Sequence, residues 1–250
     1  MATLQDQIAS HLLTTKSLPV SRSWLQTFTT TTTTSNVPLS TLAQTALYHI
    51  LNSDIRETLS TDRPSSLLPM DISDPTLKER RLPCPIPVQV LDIEDIGTSL
   101  WNQVEAIERV ERGETVRGKE IIRTVNVDDR EVLGNSNGNA NNNSAATASG
   151  MGGSSNGPHR LILQDAANTR VVGIELKSVD GIGIGKLPIG AKMILRSVTV
   201  ARGMALLVPD SVTILGGKIE SLDQEWKRTR KARLLERLQA EGNTNGETTG

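Results

Sequence analysis

Residues 134–157 are almost only Gly, Asn, Ser and Ala, and short runs of Val, Ile and Leu stand on both sides of them. A stretch of this composition buries too little apolar surface to offset the ordering entropy of its backbone, so it is expected to be disordered. The apolar runs on either side must then make one fold across a long interruption.

Those runs read as strands. Residues 86–93 supply Val88, Val90, Leu91 and Ile93, closed by a polar turn at 95–97. After the interruption, residues 161–163 and 170–176 form a hairpin about a turn at 165–168. Residues 191–200 alternate and are rich in β-branched side chains, Arg202-Gly203 turns the chain into 204–208, and 212–215 closes before Gly216-Gly217. Five short strands in a compact segment suit an OB-type barrel. Residues 100–107 (Leu100, Trp101, Val104, Ile107) fit one or two helical turns. Charged residues follow, and then a small apolar island of Ile121, Ile122, Val125 and Val127.

The first 68 residues have a different period. Leu4, Ile8 and Leu12 recur every four residues, Ser21 precedes Trp24, Leu25 and Phe28, and Pro38 opens a run with Leu42, Ala43, Ala46, Leu47 and Ile50 at helical spacing. The threonines from Thr29 onward, ending at Ser35, read as a linker because their hydroxyls compete for backbone hydrogen bonds. The fold class expected is thus α+β. A small helical bundle (1–68) leads through a Pro-rich connector (69–85) to a five-stranded OB-fold barrel (86–217). The barrel carries an insertion at about 111–158 between its first two strands, and a C-terminal helix with a polar tail follows (218–250).

Composition narrows the function. The chain has 250 residues, a net charge of −1 and only 2% aromatics. Near-neutrality argues against electrostatic binding of nucleic acid by the whole chain. A single cysteine, Cys84, excludes an intrachain disulfide and a multi-cysteine zinc site. The first residues mix Asp and Gln among the apolar ones, unlike a signal peptide, and no apolar run approaches a membrane span, so a soluble, intracellular chain is expected.

Catalytic signals are sparse. His11, His49 and His159 lack metal-ligand spacing, and GIGIG at 181–185 lacks both the spacing and the context of a dinucleotide fingerprint. Gly185-Lys186 is followed by Leu, which no phosphate-binding Walker loop has there. Asp92, Glu94 and Asp95 cluster at the end of the first strand, where a solvated strand face explains them better than acid–base or metal chemistry. No cofactor is expected. The strands carry no Trp, Tyr or Phe, so the stacking platform of a single-strand-binding OB fold is missing, although single-strand nucleic-acid binding remains the alternative reading. The dense basic run is Lys227, Arg228, Arg230, Lys231 and Arg233, either a nuclear import signal or a solvated helix face.

Several blocks resemble a known family. G-x-E-L at 173–176, L-P-I-G-A-K at 187–192, the Arg202-Gly203 turn and L-L-V-P-D-S-V-T-I-L-G-G at 206–217 are similar to the N-terminal region of the RecQ-mediated genome instability protein one family. V-S-R-S-W-L at 20–25 resembles its helical lead, and I-P-V-Q-V-L-D-I at 86–93 its first barrel strand. The resemblance spans about residues 1–225, with no second OB domain, as in the short fungal members. It implies a nuclear, non-catalytic subunit of a RecQ helicase–topoisomerase III complex that dissolves double Holliday junctions and limits crossovers. DNA would be met mainly through the complex, with weak direct binding. It further implies that the barrel docks on a type IA topoisomerase and that the insertion reaches its gate. On this chain the gate contacts would be Arg112, Arg117, Lys119, Ile121, Ile122, Arg123 and Val125, unless the apolar island pairs against the barrel instead. Lys192, in the G-A-K turn, is expected to face a partner.

Overall fold

The computed structural model describes residues 3–32, 38–117, 120–123 and 157–246. They divide into two compact units, one built from Met1–Ser99 and Ser155–Arg233, the other from Leu100–Ser154 and Leu234–Gly250.

The first unit opens with helices. α1 (Leu4–Lys16) starts at a capping box in which Thr3 and Asp6 exchange hydrogen bonds, and it ends at Ser17 in the left-handed region (φ 57°). Ile8 and Leu12 are buried, as their spacing predicts, whereas Leu4 sits at the exposed start. α2 (Arg22–Thr32) runs into the threonine stretch that was expected to be a linker. The hydroxyls of Thr29, Thr30 and Thr31 donate to carbonyls three or four residues back, so their competition for the backbone is satisfied without leaving the helix. α3 (Leu39–Asn52) buries Leu42, Ala43, Ala46 and Ile50, and α4 (Ile55–Thr58) is a single turn capped by Asp54.

The Pro-rich connector is more than a spacer. Its residues Arg80–Leu82 form β1, which pairs antiparallel with a barrel strand. Three residues flanked by turns carry no readable alternation, and so the sequence concealed them.

The barrel begins at β2 (Ile86–Asp95). The second unit follows: α5 (Leu100–Glu111), then a hairpin of β3 (Glu114–Arg117) and β4 (Glu120–Arg123). The excursion from the barrel therefore starts with a full helix at Leu100, ahead of the boundary near 111 expected from charge. Residues 124–156, most of the Gly/Asn-rich run, lie outside the described residues. The barrel resumes with β5 (His159–Gln164), β6 (Arg170–Glu175), β7 (Lys192–Leu195), β8 (Val198–Ala201), β9 (Met204–Leu207) and β10 (Val212–Gly216).

The eight-stranded sheet has the order β1-β8-β9-β6-β5-β2-β7-β10. Only Arg196 and Ser197, the latter at φ 48°, separate β7 from β8, and a 3-10 turn at Pro209–Ser211 separates β9 from β10. The expected fourth and fifth strands are thus each present but broken once. β7 pairs with β2 and β10, whereas β8 pairs with β9, and β9 lies parallel to β6. Following each broken strand through its bend, the pairings run β2, β5, β6, β9/β10, β7/β8 and back to β2. The sheet is thus curled and mixed, consistent with an OB fold, with eight strand segments where five strands were expected. The GIGIG loop is docked, since Ile182 is buried in the barrel core beside Val179 and Leu187. α6 (Glu220–Gly246) passes the point near 241 where a polar tail was expected.

Candidate partner-binding surfaces

The acidic cluster on β2 is consumed by structure. A bulge between Val90 and Asp92 shifts the register, and the Asp92 carboxylate accepts from Trp226 Nε1 (2.5 Å) and from Arg233 (2.9 Å) on α6. Glu94 pairs with Arg160 (3.0 Å), and Asp95 accepts the N–H groups of Gly97 and Thr98. His49 lies exposed on α3, and the described residues contain no metal-binding cluster of His, Cys, Asp or Glu.

The excursion leaves and rejoins the barrel through a tight neck. Ile96 donates to the Pro158 carbonyl (3.0 Å), and a Cβ on Gly97 would lie 2.8 Å from the Gly157 Cα. One residue past the neck, His159 Nδ1 meets the buried Glu175 carboxylate at 2.5 Å. That same carboxylate accepts the His159 and Val179 N–H groups. Two chain segments are thereby held side by side at the base of the insertion.

Within the second unit, Arg112 is exposed, 3.5 Å from Glu114 and 4.0 Å from Glu108. Arg117 closes β3, and Ile121, Ile122 and Arg123 belong to β4, in a register that sets Val116 opposite Ile121 and Thr115 opposite Ile122. Lys119 and Val125 lie outside the described residues. The described part of the apolar island thus pairs, in the backbone ladder, with the excursion's own strand. Trp101, on the first turn of α5, is 66% exposed. The spacing marked it as an ordinary helical residue, and the usable signal was scarcity, since it is one of few aromatics in the chain.

Lys192 does not face a partner. It is fully buried, and its ammonium donates to the carbonyls of Leu51 (3.0 Å), Ser53 (2.5 Å) and Gly190 (2.8 Å). The first two belong to the C-terminal end of α3, where the helix leaves its carbonyls unpaired and a cation is favoured. Burial pushes the Lys192 pKa down to about 8, against the pull of the Asp54 carboxylate. The sequence could not show this, because the partners lie about 140 residues away.

Two further buried polar groups do the same work. Gln89 Oε1 on β2 accepts the Ile55 N–H (3.0 Å), and Asp165 accepts from Leu68 (2.8 Å), Ala167 and Thr169. Burial raises the Asp165 pKa, and these N–H groups pull the other way. With Ile194 and Ala166 packed among the helical core residues, the helices and the barrel form one body.

The basic run lies on α6. Lys227 pairs with Asp223 (2.7 Å), Arg228 with Glu225 (2.7 Å) and Arg233 with Asp92, while Arg230 and Arg233 stack on Trp226 at 5.6 and 5.8 Å. Lys231 also has a partner. Asp223, nearly fully buried, accepts the Ile189 N–H (3.0 Å) and Trp226 is buried, so this helix is docked on the barrel before it is basic.

On the outer face of the barrel, Ile162, Val172 and Met204 stand in register across β5, β6 and β9, with Ile174 opposite Leu206 beside them, all partly exposed. The face is aliphatic, without rings for stacking on bases, and suits a protein surface better than a nucleic acid.

Comparison with known proteins agrees with this architecture. The RMI1 N-terminal OB-fold domain matches residues 68–230, and the RMI1 N-terminal helical domain matches residues 12–58. RecQ-mediated genome instability protein 1 of Schizosaccharomyces pombe is 28% identical over 201 residues, covering 80% of this chain and 81% of that protein. The protein of the same name from Arabidopsis thaliana is 37% identical over 69 residues, 28% of this chain and 10% of that one. The helical lead, the interrupted barrel and these matches together show that the chain belongs to the RMI1 family.

Proposed function

We propose that this chain is a non-catalytic structural subunit with a genome-stability role linked to a RecQ helicase. In the finer reading, it joins that helicase to topoisomerase III and promotes decatenation and dissolution of double Holliday junctions. Nuclear residence goes with that role. The observation that carries the reading is a separate compact unit, with its own helix and two-stranded sheet, inserted between the first two strands of a clamped barrel.

A type IA topoisomerase holds a cleaved strand while its gate opens and another strand passes. An inserted element that binds the open gate better than the closed one shifts the population toward open, and favours strand passage over reclosure. Arg112, Arg117, Lys119, Ile121, Ile122, Arg123 and Val125 are the contact residues we assign to it. Deleting residues 112–132 is expected to leave the barrel folded and to abolish stimulation of decatenation by the purified topoisomerase. Unchanged decatenation would refute the assignment. Deleting residues 135–156 alone is expected to change little.

A further inference from the structure

Residues paired across a sheet share a face, so the strand register lays the outer surface of the barrel out in rows. One row runs Ile162, Val172, Met204 and Ala201 from β5 to β8, and Asp92 of β2 closes it. The next runs Arg160, Ile174, Leu206 and Thr199 over the same strands, with Glu94 of β2 at one end and Arg81 of β1 at the other. Met204 is 39% exposed, and Leu176, two residues beyond Ile174, is 58% exposed. The centre of the face is thus a contiguous aliphatic patch on β5, β6 and β9.

Charge around the patch is one-sided. The two carboxylates in these rows are taken, Glu94 by Arg160 (3.0 Å) and Asp92 by Trp226 and Arg233 of α6, so α6 borders the face at β2. Arg81 stands at the β1 side, Arg170 lies two residues before Val172, and Lys177 follows Leu176. All three are exposed, and no carboxylate among the described residues pairs with them.

A contiguous exposed aliphatic patch marks a binding surface. β5 and β6 stand where strands two and three of an OB fold stand, the pair on which many such folds bind oligonucleotides. Here that pair offers no ring on which a base could stack, and carries Ile162, Val172 and Ile174 instead. A second copy of the chain is a poor occupant, because a two-fold contact sets the same patch against itself and opposes cations to cations. From β5 to β9 is two strand spacings of ~4.8 Å, close to the ~10 Å width of one α-helix.

We infer that this face binds a single acidic amphipathic helix of another protein, with its aliphatic stripe on Ile174 and Met204 and its carboxylates toward Arg81, Arg170 and Lys177. None of these residues belongs to the inserted unit, so the inference stands or falls separately from the topoisomerase assignment.

The test is fluorescence anisotropy of the full chain with three labelled probes. One is a short peptide with Leu at helical spacing and Glu on its flanks, the second has Lys in place of every Glu, and the third is a single strand of DNA of matching length. The Glu peptide is expected to bind about tenfold more tightly than the Lys peptide. Met204→Asp puts a carboxylate in the centre of the patch and Arg81→Glu reverses a charge at its border. The first is expected to weaken the Glu peptide by about tenfold and the second by about threefold, with capture of purified topoisomerase III unchanged. Equal binding of the two peptides, no binding of the Glu peptide, or variants that bind it as the wild type does would overturn the inference. So would tighter binding of the single strand that the same variants reduce. Loss of topoisomerase capture in the variants would give the face to that enzyme and overturn the inference as well.

Discussion

Replacing Lys192 with Met keeps the aliphatic stem and removes the ammonium that joins the end of α3 to the barrel. Two opposing quantities set the outcome. Three hydrogen bonds from a charged donor disappear, and three carbonyls at a buried site lose it. At about 1.5 kcal/mol each this costs about 4–5 kcal/mol. Against it stands the cost of burying the charge. A fall in pKa from 10.5 to about 8 corresponds, at ~1.4 kcal/mol per pH unit, to roughly 3.5 kcal/mol. The net loss near neutral pH is therefore about 1 kcal/mol.

A base whose folded pKa lies below its unfolded value binds fewer protons in the native state, so stability rises with pH between the two values. Wild-type stability is expected to climb by roughly 3.5 kcal/mol as the pH rises through 8 and 10.5, because the cost of the buried charge is relieved there. Lys192→Met lacks that rise, so the gap between the proteins widens to about 4–5 kcal/mol at the upper end. Urea unfolding of both full-length proteins, followed by far-ultraviolet circular dichroism at several pH values across this window, measures the difference. Other titrating groups cancel in the comparison. A variant that gains stability with pH as steeply as the wild type would refute the clamp.

Three further substitutions probe the same body. Gly217→Ala puts a Cβ 2.2 Å from the Leu51 carbonyl oxygen at a backbone φ of 85°, and is expected to cost about 3 kcal/mol and to raise hydrogen exchange at the end of α3; wild-type exchange there would contradict the close approach. Asp165→Asn replaces one carboxylate oxygen with an amide nitrogen, so either Leu68 or the turn at Ala167 and Thr169 loses its acceptor, and a loss of about 1–2 kcal/mol in chemical unfolding is expected. Trp226→Ala empties the anchor of α6 and leaves Asp92 Oδ1 without its indole donor, at about 3–5 kcal/mol, and trypsin should then cut among residues 227–233 much faster than in the wild type; equal cleavage rates would show that Trp226 does not hold the helix.

The sequence by itself determined the elements with strong local periodicity. The helical spacing of Ile8 and Leu12 and of Leu42, Ala46 and Ile50 specified α1 and α3, and short aliphatic runs bounded by turn residues specified β2, β5 and β6, because burial of apolar side chains is a local demand on the chain. The Gly/Asn-rich run announced an interruption, and the family blocks announced the barrel. Tertiary structure alone decided the rest. β1 has three residues and exists only because β8 offers it a partner. The threonines of α2 stay helical since their hydroxyls bond back and Phe28 is buried. Lys192, Asp92 and Asp165 look like surface charges in the sequence, yet each is bound by groups remote in the chain, at Leu51, Trp226 and Leu68. Local spacing tells which face a side chain occupies. Whether that face meets water or another element depends on contacts that form only when distant segments fold together.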